Sequence, residues 1–178
     1  MSERAEASNS EETDGTVPDE ISHLVGHSGH LLRRSYQIFI SIFESSFSQM
    51  GVSPVEYMIL GTLEALGTLD MSSVAGSAAI DNASCFRVVG RLEDRGLVET
   101  CRGDKDQRRR LVGLTARGRT IMPSLHKCAA MVEARMFERL TAQERGDFAA
   151  SMKAFATRNN CLSRAPFRAP ARTEKGDG

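Results

Sequence analysis

Apolar side chains recur at three- to four-residue steps along most of this chain, a periodicity that marks helices. Over residues 19–50, Leu24, Leu31, Ile38 and Ile42 keep that spacing, and Phe39, Phe43 and Phe47 add a second stripe. One long helix is predicted there, ended by Gly51. Its apolar band is wider than a lone surface helix needs, so it is expected to pack against its own domain and a partner. Ser53-Pro54-Val55-Glu56 is a start signal, with a Ser cap, Pro at the first helical position and Glu three after the cap. The helix it opens buries Val55, Ile59, Leu63 and Leu66 and breaks at Gly67. A short helix follows over residues 69–79, weakened by Gly76. Asp81 or Asn82 caps the next one, where Cys85, Val88, Val89 and Leu92 define a buried face and Gly96 ends the helix. Two strands come next, joined by a basic turn. Thr115 caps a helix over residues 116–140 with Met122, Leu125, Ala129, Val132 and Met136 as its stripe, and Pro123 is expected to kink it. Thr141-x-x-Glu144 is a capping box for a last helix to about Arg158, apolar at Phe148, Met152 and Phe155.

Composition narrows the class. The chain has 178 residues, 40% apolar and 26% charged, which fits one soluble domain with tails. Residues 1–18 are acidic and lack the apolar surface that would offset ordering entropy, so a disordered tail is expected. Residues 161–178 are rich in Arg, Ala and Pro and read as a flexible tail that adds non-specific attraction to phosphates. Formal net charge is zero, yet its distribution is uneven. Residues 81–120 hold ten Lys/Arg against six Asp/Glu, whereas residues 1–20 hold one Arg against seven acids. One face suited to phosphates is implied. There is no 18-residue apolar run and no Cys-x-x-Cys, so no membrane association and a cytoplasmic protein with reduced thiols are expected. Gly-x-Ser-x-Gly, His-Glu-x-x-His, a phosphate-binding Gly loop and a dinucleotide fingerprint are all missing, and His126 has no evident nucleophile partner. No catalytic residue and no cofactor are expected.

The helix that starts near Asp81 carries the candidate chemistry. Asn82, Ala83, Phe86, Arg87 and Arg91 fall on or beside the face opposite its core stripe. In a DNA major groove Asn pairs with adenine and Arg with guanine, while Ala83, Ser84 and Phe86 suit a thymine methyl. Asn82 and Arg87 are the first candidates for base contacts. The turn over residues 103–110 is too charged to pack inside, and Arg108, Arg109 and Arg110 suit phosphates or a narrow minor groove.

These residues also carry a resemblance. Arg91-Leu92-Glu93-Asp94-Arg95-Gly96-Leu97-Val98, Asp106-x-Arg108 and Leu114-Thr115-x-x-Gly118 closely resemble the winged helix-turn-helix of the MarR (multiple antibiotic resistance regulator) family of bacterial transcription factors. Element order matches over residues 19–160. The resemblance implies a mainly α fold with a small β-wing. The winged helix-turn-helix would span residues 53–115, and residues 19–50 and 116–158 would supply dimerisation helices. It implies a homodimer on double-stranded, pseudo-palindromic operators with half-sites about 10 bp apart, acting as a repressor. Arg108 would enter the minor groove, oriented by Asp106; Ser72 and Arg109 would touch phosphates. Two departures stand out: Gly103 occupies a place where the family wing usually has Asp, with Asp104 beside it, and Ala79 stands where the family commonly has Gly.

A narrower resemblance covers Gly29-His30-Leu31-Leu32-Arg33-Arg34-x-x-Gln37-Ile38, which is similar to the first-helix pattern of a MarR subgroup linked to aromatic-acid catabolism. It implies a small aromatic carboxylate effector, with Arg33 or Arg34 pairing the carboxylate and His30 or Tyr36 at the ring. The competing reading is that these arginines form intersubunit ion pairs. On one continuous helix His23, His27 and His30 would share a face and suit a transition metal, so a metal-responsive regulator is an alternative. No carboxylate or thiolate completes that set, which favours surface or interface histidines and no metal site. A module whose helix-turn-helix only contacts proteins is the other alternative. Among the cysteines, Cys85 falls in a core position, while Cys101 and Cys128 are candidates for oxidant sensing.

Overall fold

The computed structural model describes residues 18–102 and 110–170. Their elements, in chain order, are α1 (Asp19–Val25), α2 (Ser28–Phe47), α3 (Pro54–Leu66), β1 (Leu69–Asp70), α4 (Met71–Ser77), α5 (Asn82–Asp94), β2 (Val98–Arg102), β3 (Arg110–Leu114), α6 (Ala116–Met136) and α7 (Ala142–Arg158), then a 3-10 turn, Asn160–Leu162. The chain divides into two units, residues 1–38 and 39–178.

In the first unit the expected single helix is interrupted. Gly26 closes α1, its N–H donating to Ser22 O at 3.0 Å. His27 Nδ1 then accepts the Gly29 N–H at 3.3 Å, the kind of local side-chain bond that competes with the helix ladder. Gly26 and Gly29 lower helix propensity on both sides of the break. Ile21, Leu24, Leu31, Leu32, Tyr36 and Ile38 are all exposed.

In the second unit Phe43 and Phe47 of α2 stack at 4.0 Å between ring centroids and are buried. The start signal of α3 is realised as a full capping box: Ser53 N donates to Glu56 Oε2 at 2.9 Å and Glu56 N to Ser53 Oγ at 3.3 Å. A three-stranded antiparallel sheet has the order β1-β3-β2. Leu69 pairs with Val112, and β2 pairs with β3 from Val98↔Leu114 to Arg102↔Arg110. The helix expected over residues 69–79 is therefore shorter. Leu69 and Asp70 form the third strand, and Asp70 caps α4 by accepting the Ser73 N–H at 3.0 Å. A two-residue strand has no periodicity to detect, which is why the sequence pattern assigned it to the helix.

The core lies where α3, α4, α5, the sheet and α6 meet. Ile59, Leu60, Val74, Leu92, Val112, Met122 and Leu125 are fully buried there, each contributing on the order of 1.5–3 kcal/mol. Thr115 joins the sheet to α6: its hydroxyl donates to Gly96 O at 2.7 Å and accepts the Gly118 N–H at 2.9 Å. Gly118 packs directly under Leu97 O, so no Cβ fits at that position. α6 runs unbroken through Pro123. α7 buries no residue; Phe148 meets Phe137 edge-on, while Phe155 is 53% exposed.

Candidate nucleic-acid interface

α4 and α5 form the helix-turn-helix. Its turn closes as a Schellman motif, with Ile80 N donating to Ala75 O at 3.1 Å and Ala79 N to Gly76 O at 3.2 Å. Ala79 accordingly takes a left-handed φ of 51°, a conformation that costs a residue with a Cβ. Asp81 caps α5, accepting the Ser84 N–H at 2.8 Å. That bond holds its carboxyl below the usual carboxylate range. Gly96, at φ 67°, ends α5 in a second Schellman motif, with Leu97 N bonded to Leu92 O.

The two faces of α5 separate as the periodicity predicts. Cys85, Val88, Val89 and Leu92 are buried. Asn82, Ala83, Phe86 and Arg87 are exposed, Ser84 is half-buried, and Phe86 stands 47% uncovered. Arg87 Nη2 donates to Ser84 Oγ at 3.0 Å, which steers the guanidinium toward the start of the helix. Ser72 is exposed at the start of α4.

Arg91 has a different environment from its neighbours on this face. Its Nε donates to Glu56 Oε1 at 3.4 Å. Glu56 itself is only 5% exposed. Arg95 Nη1 lies 3.8 Å from Glu56 Oε2 and donates to Gly51 O at 2.8 Å, while its Nη2 donates to Met50 O at 2.9 Å. Glu93 Oε1 accepts both Thr100 N and Thr100 Oγ1, at 3.1 and 2.6 Å. Arg91, Arg95 and Glu93 thus tie α5 to α3, to the turn after α2 and to β2. Glu56 was legible in the sequence as a cap; its second role was not, because pairing across 35 residues leaves no local signal.

At the base of the wing Arg102 faces Arg110 across the strands, and both are exposed. Like charges placed opposite each other destabilise a ladder, and a polyanion relieves that. Asp106, Arg108 and Arg109 lie outside the described residues.

Of the expected effector residues, His30 is half-buried and Arg33, Arg34 and Tyr36 are exposed on α2. Arg33 Nη1 donates to Gln37 Oε1 at 2.8 Å. The break between α1 and α2 removes the shared face on which the histidine metal site depended. His23 lies in α1, His27 in the break with Nδ1 engaged, and His30 in α2. Among the described residues no group of three or more His, Cys, Asp and Glu could hold a metal ion.

His126 is part of a link the sequence did not suggest. Its Nδ1 lies 3.2 Å from the Tyr57 hydroxyl and its Nε2 2.7 Å from Glu64 Oε2, joining α6 to α3. Partial burial, then the Glu64 charge, raises the Tyr57 hydroxyl above its ordinary pKa. Cys85 is buried and its thiol is pushed up to about 11 by desolvation, then by Asp81. Cys128 is buried as well, so neither suits oxidant sensing; Cys101 and Cys161 are exposed.

This geometry has known counterparts. The profile of the MarR family matches residues 50–109. The PcaV transcriptional regulator of Streptomyces coelicolor, solved with its natural ligand, is 30% identical. It matches over 75% of this chain and 94% of its own, with a TM-score of 0.69. The chain belongs to the MarR family. A similar fold is found in BpsR of Bordetella bronchiseptica, whose DNA binding is regulated by 6-hydroxynicotinic acid. It is 28% identical over 75% of this chain and 96% of its own, at a TM-score of 0.71. The HTH-type transcriptional repressor NicR of Pseudomonas putida is 28% identical over 66% of this chain and 74% of its own length. As a MarR protein, this chain is a transcriptional regulator with a winged-helix DNA-binding fold. Among the described residues no helix is long and apolar enough to cross a membrane.

Proposed function

We propose that this regulator acts in the cytoplasm as a homodimeric repressor that binds a pseudo-palindromic operator and releases it on meeting a small aromatic carboxylate. One observation carries the DNA reading. The start of α5 offers Asn82, Ala83, Phe86 and Arg87 to solvent, while the opposite face is locked in the core. Asn82 and Arg87 read bases; Ser84 and Arg91 lie beside them, and Arg91 chiefly holds the helix through Glu56. Ser72 and Arg109 contact phosphates, and Arg108, oriented by Asp106, enters the minor groove. The dimer reading is supported by the exposed apolar side chains of α1 and α2 and by Met152 and Phe155 on α7, which a second copy would cover. The effector reading is supported by likeness to BpsR and by two arginines suited to bidentate carboxylate pairing, Arg33 and Arg34.

A mobility shift with DNA from upstream of the protein's own gene, with and without 6-hydroxynicotinate and simple benzoates, tests these parts together. A specific shift reversed by one acid is expected. A specific shift indifferent to every acid removes the effector assignment and leaves the regulator.

A further inference from the structure

The segment after the 3-10 turn, residues 163–170, does not run away from the domain. Arg168 N donates to Gly76 O at 2.9 Å, which attaches the segment to α4 inside the helix-turn-helix. Asn160 pins it from the other side. Its Oδ1 accepts the Phe167 N–H at 2.8 Å and its Nδ2 donates to Phe167 O at 2.9 Å. Gly76 makes this approach possible, because a Cβ there would stand 3.0 Å from Arg168 Cβ and 3.3 Å from Arg168 O. The glycine that weakens α4 as a helix is therefore a docking position. The segment borders a cleft of about 280 Å³ in which Arg164 and Arg168 share the lining with Ser72, Asp81 and Asn82.

Two arginines are thus placed beside the residues proposed to touch DNA. Both are exposed, and neither guanidinium has an ion-pair partner among the described residues. Asp81 is the acid in the cleft, and its carboxylate already accepts the Ser84 N–H. With the segment in place, Asn82, Ala83, Phe86 and Arg87 remain uncovered. A strap that blocked DNA would hide those residues; this one flanks them.

We infer that residues 163–170 are a second DNA-binding element, a strap whose Arg164 and Arg168 grip the phosphate backbone beside the bases that α5 reads. The strap rests on the DNA-binding reading above. It also assigns a role to Gly76, which lets the strap reach the helix-turn-helix.

The test compares the full-length protein with the double variant R164A/R168A and with R164K/R168K. Affinity is measured on operator and on scrambled DNA from 50 to 200 mM salt. Each lost phosphate contact should make the slope of log affinity against log salt shallower by about 0.9, hence by about 1.8 per protomer. The loss should be equal on the two DNAs, and the lysine variant should regain most of the slope. The thermal midpoint of the alanine variant should match the unaltered protein, since both side chains are exposed. An unchanged slope overturns the strap, as does tighter binding by the alanine variant, which would make the segment an occluder. A loss confined to the operator overturns the phosphate role. If the unaltered protein binds neither DNA at 50 mM salt, the DNA-binding reading itself fails and the strap with it.

Discussion

Ala79 pays for the turn of the helix-turn-helix, since its left-handed backbone costs a residue with a side chain about 1–2 kcal/mol. Replacement by Gly removes that strain but loosens the unfolded chain, so Ala79→Gly should raise unfolding stability by about 0.5–1 kcal/mol in urea titration. At Arg87 the expected effect is on recognition. Arg87→Ala should cost about 1–3 kcal/mol on the operator and little on random DNA by mobility shift. Equal losses on both would make it a phosphate contact. The thiols divide by burial: Cys101 and Cys161 should react with a maleimide at pH 8, and Cys85 and Cys128 only after unfolding. At this scale the sequence was most informative where one side chain does one local job. The caps at Ser53, Thr115 and Thr141 and the four core positions of α5 were readable from spacing alone.

The elements were legible to the extent that their signal is local. The caps of α3, α5, α6 and α7 fell where the sequence placed them. The long first helix did not, because apolar periodicity survives a two-residue interruption and the bond from Gly29 N to His27 depends on a side-chain orientation that spacing does not encode. The anchoring of α5 through Glu56, Arg91 and Arg95 was also hidden, since it joins elements far apart in sequence. Glu56→Ala removes both the capping box and the partner of the two arginines, so it should destabilise the domain by about 1–3 kcal/mol in chemical denaturation. The caps also predict a pH response. The carboxyls of Asp81 and Glu144 are held below their ordinary range, chiefly by the backbone N–H groups of Ser84 and Thr141 respectively. A depressed folded-state pKa contributes stability above the unfolded value, and that contribution is lost as pH falls through the folded value. Helicity followed by circular dichroism should therefore be level near neutrality with respect to these groups and decline below about pH 4.

Across the whole molecule, the residues that hold α5 and those it offers to solvent are largely different sets. Cys85, Val88, Val89, Leu92, Arg91 and Arg95 hold the helix, whereas Asn82, Ala83, Phe86 and Arg87 touch little of the protein. Descendants of such a gene can exchange those four positions without disturbing the fold. On the proposed reading, in which these positions contact the operator, a duplicated copy would acquire a new target promoter in a few mutational steps. On that same reading, the partition gives an engineer four positions to randomise when redirecting this regulator to a chosen promoter.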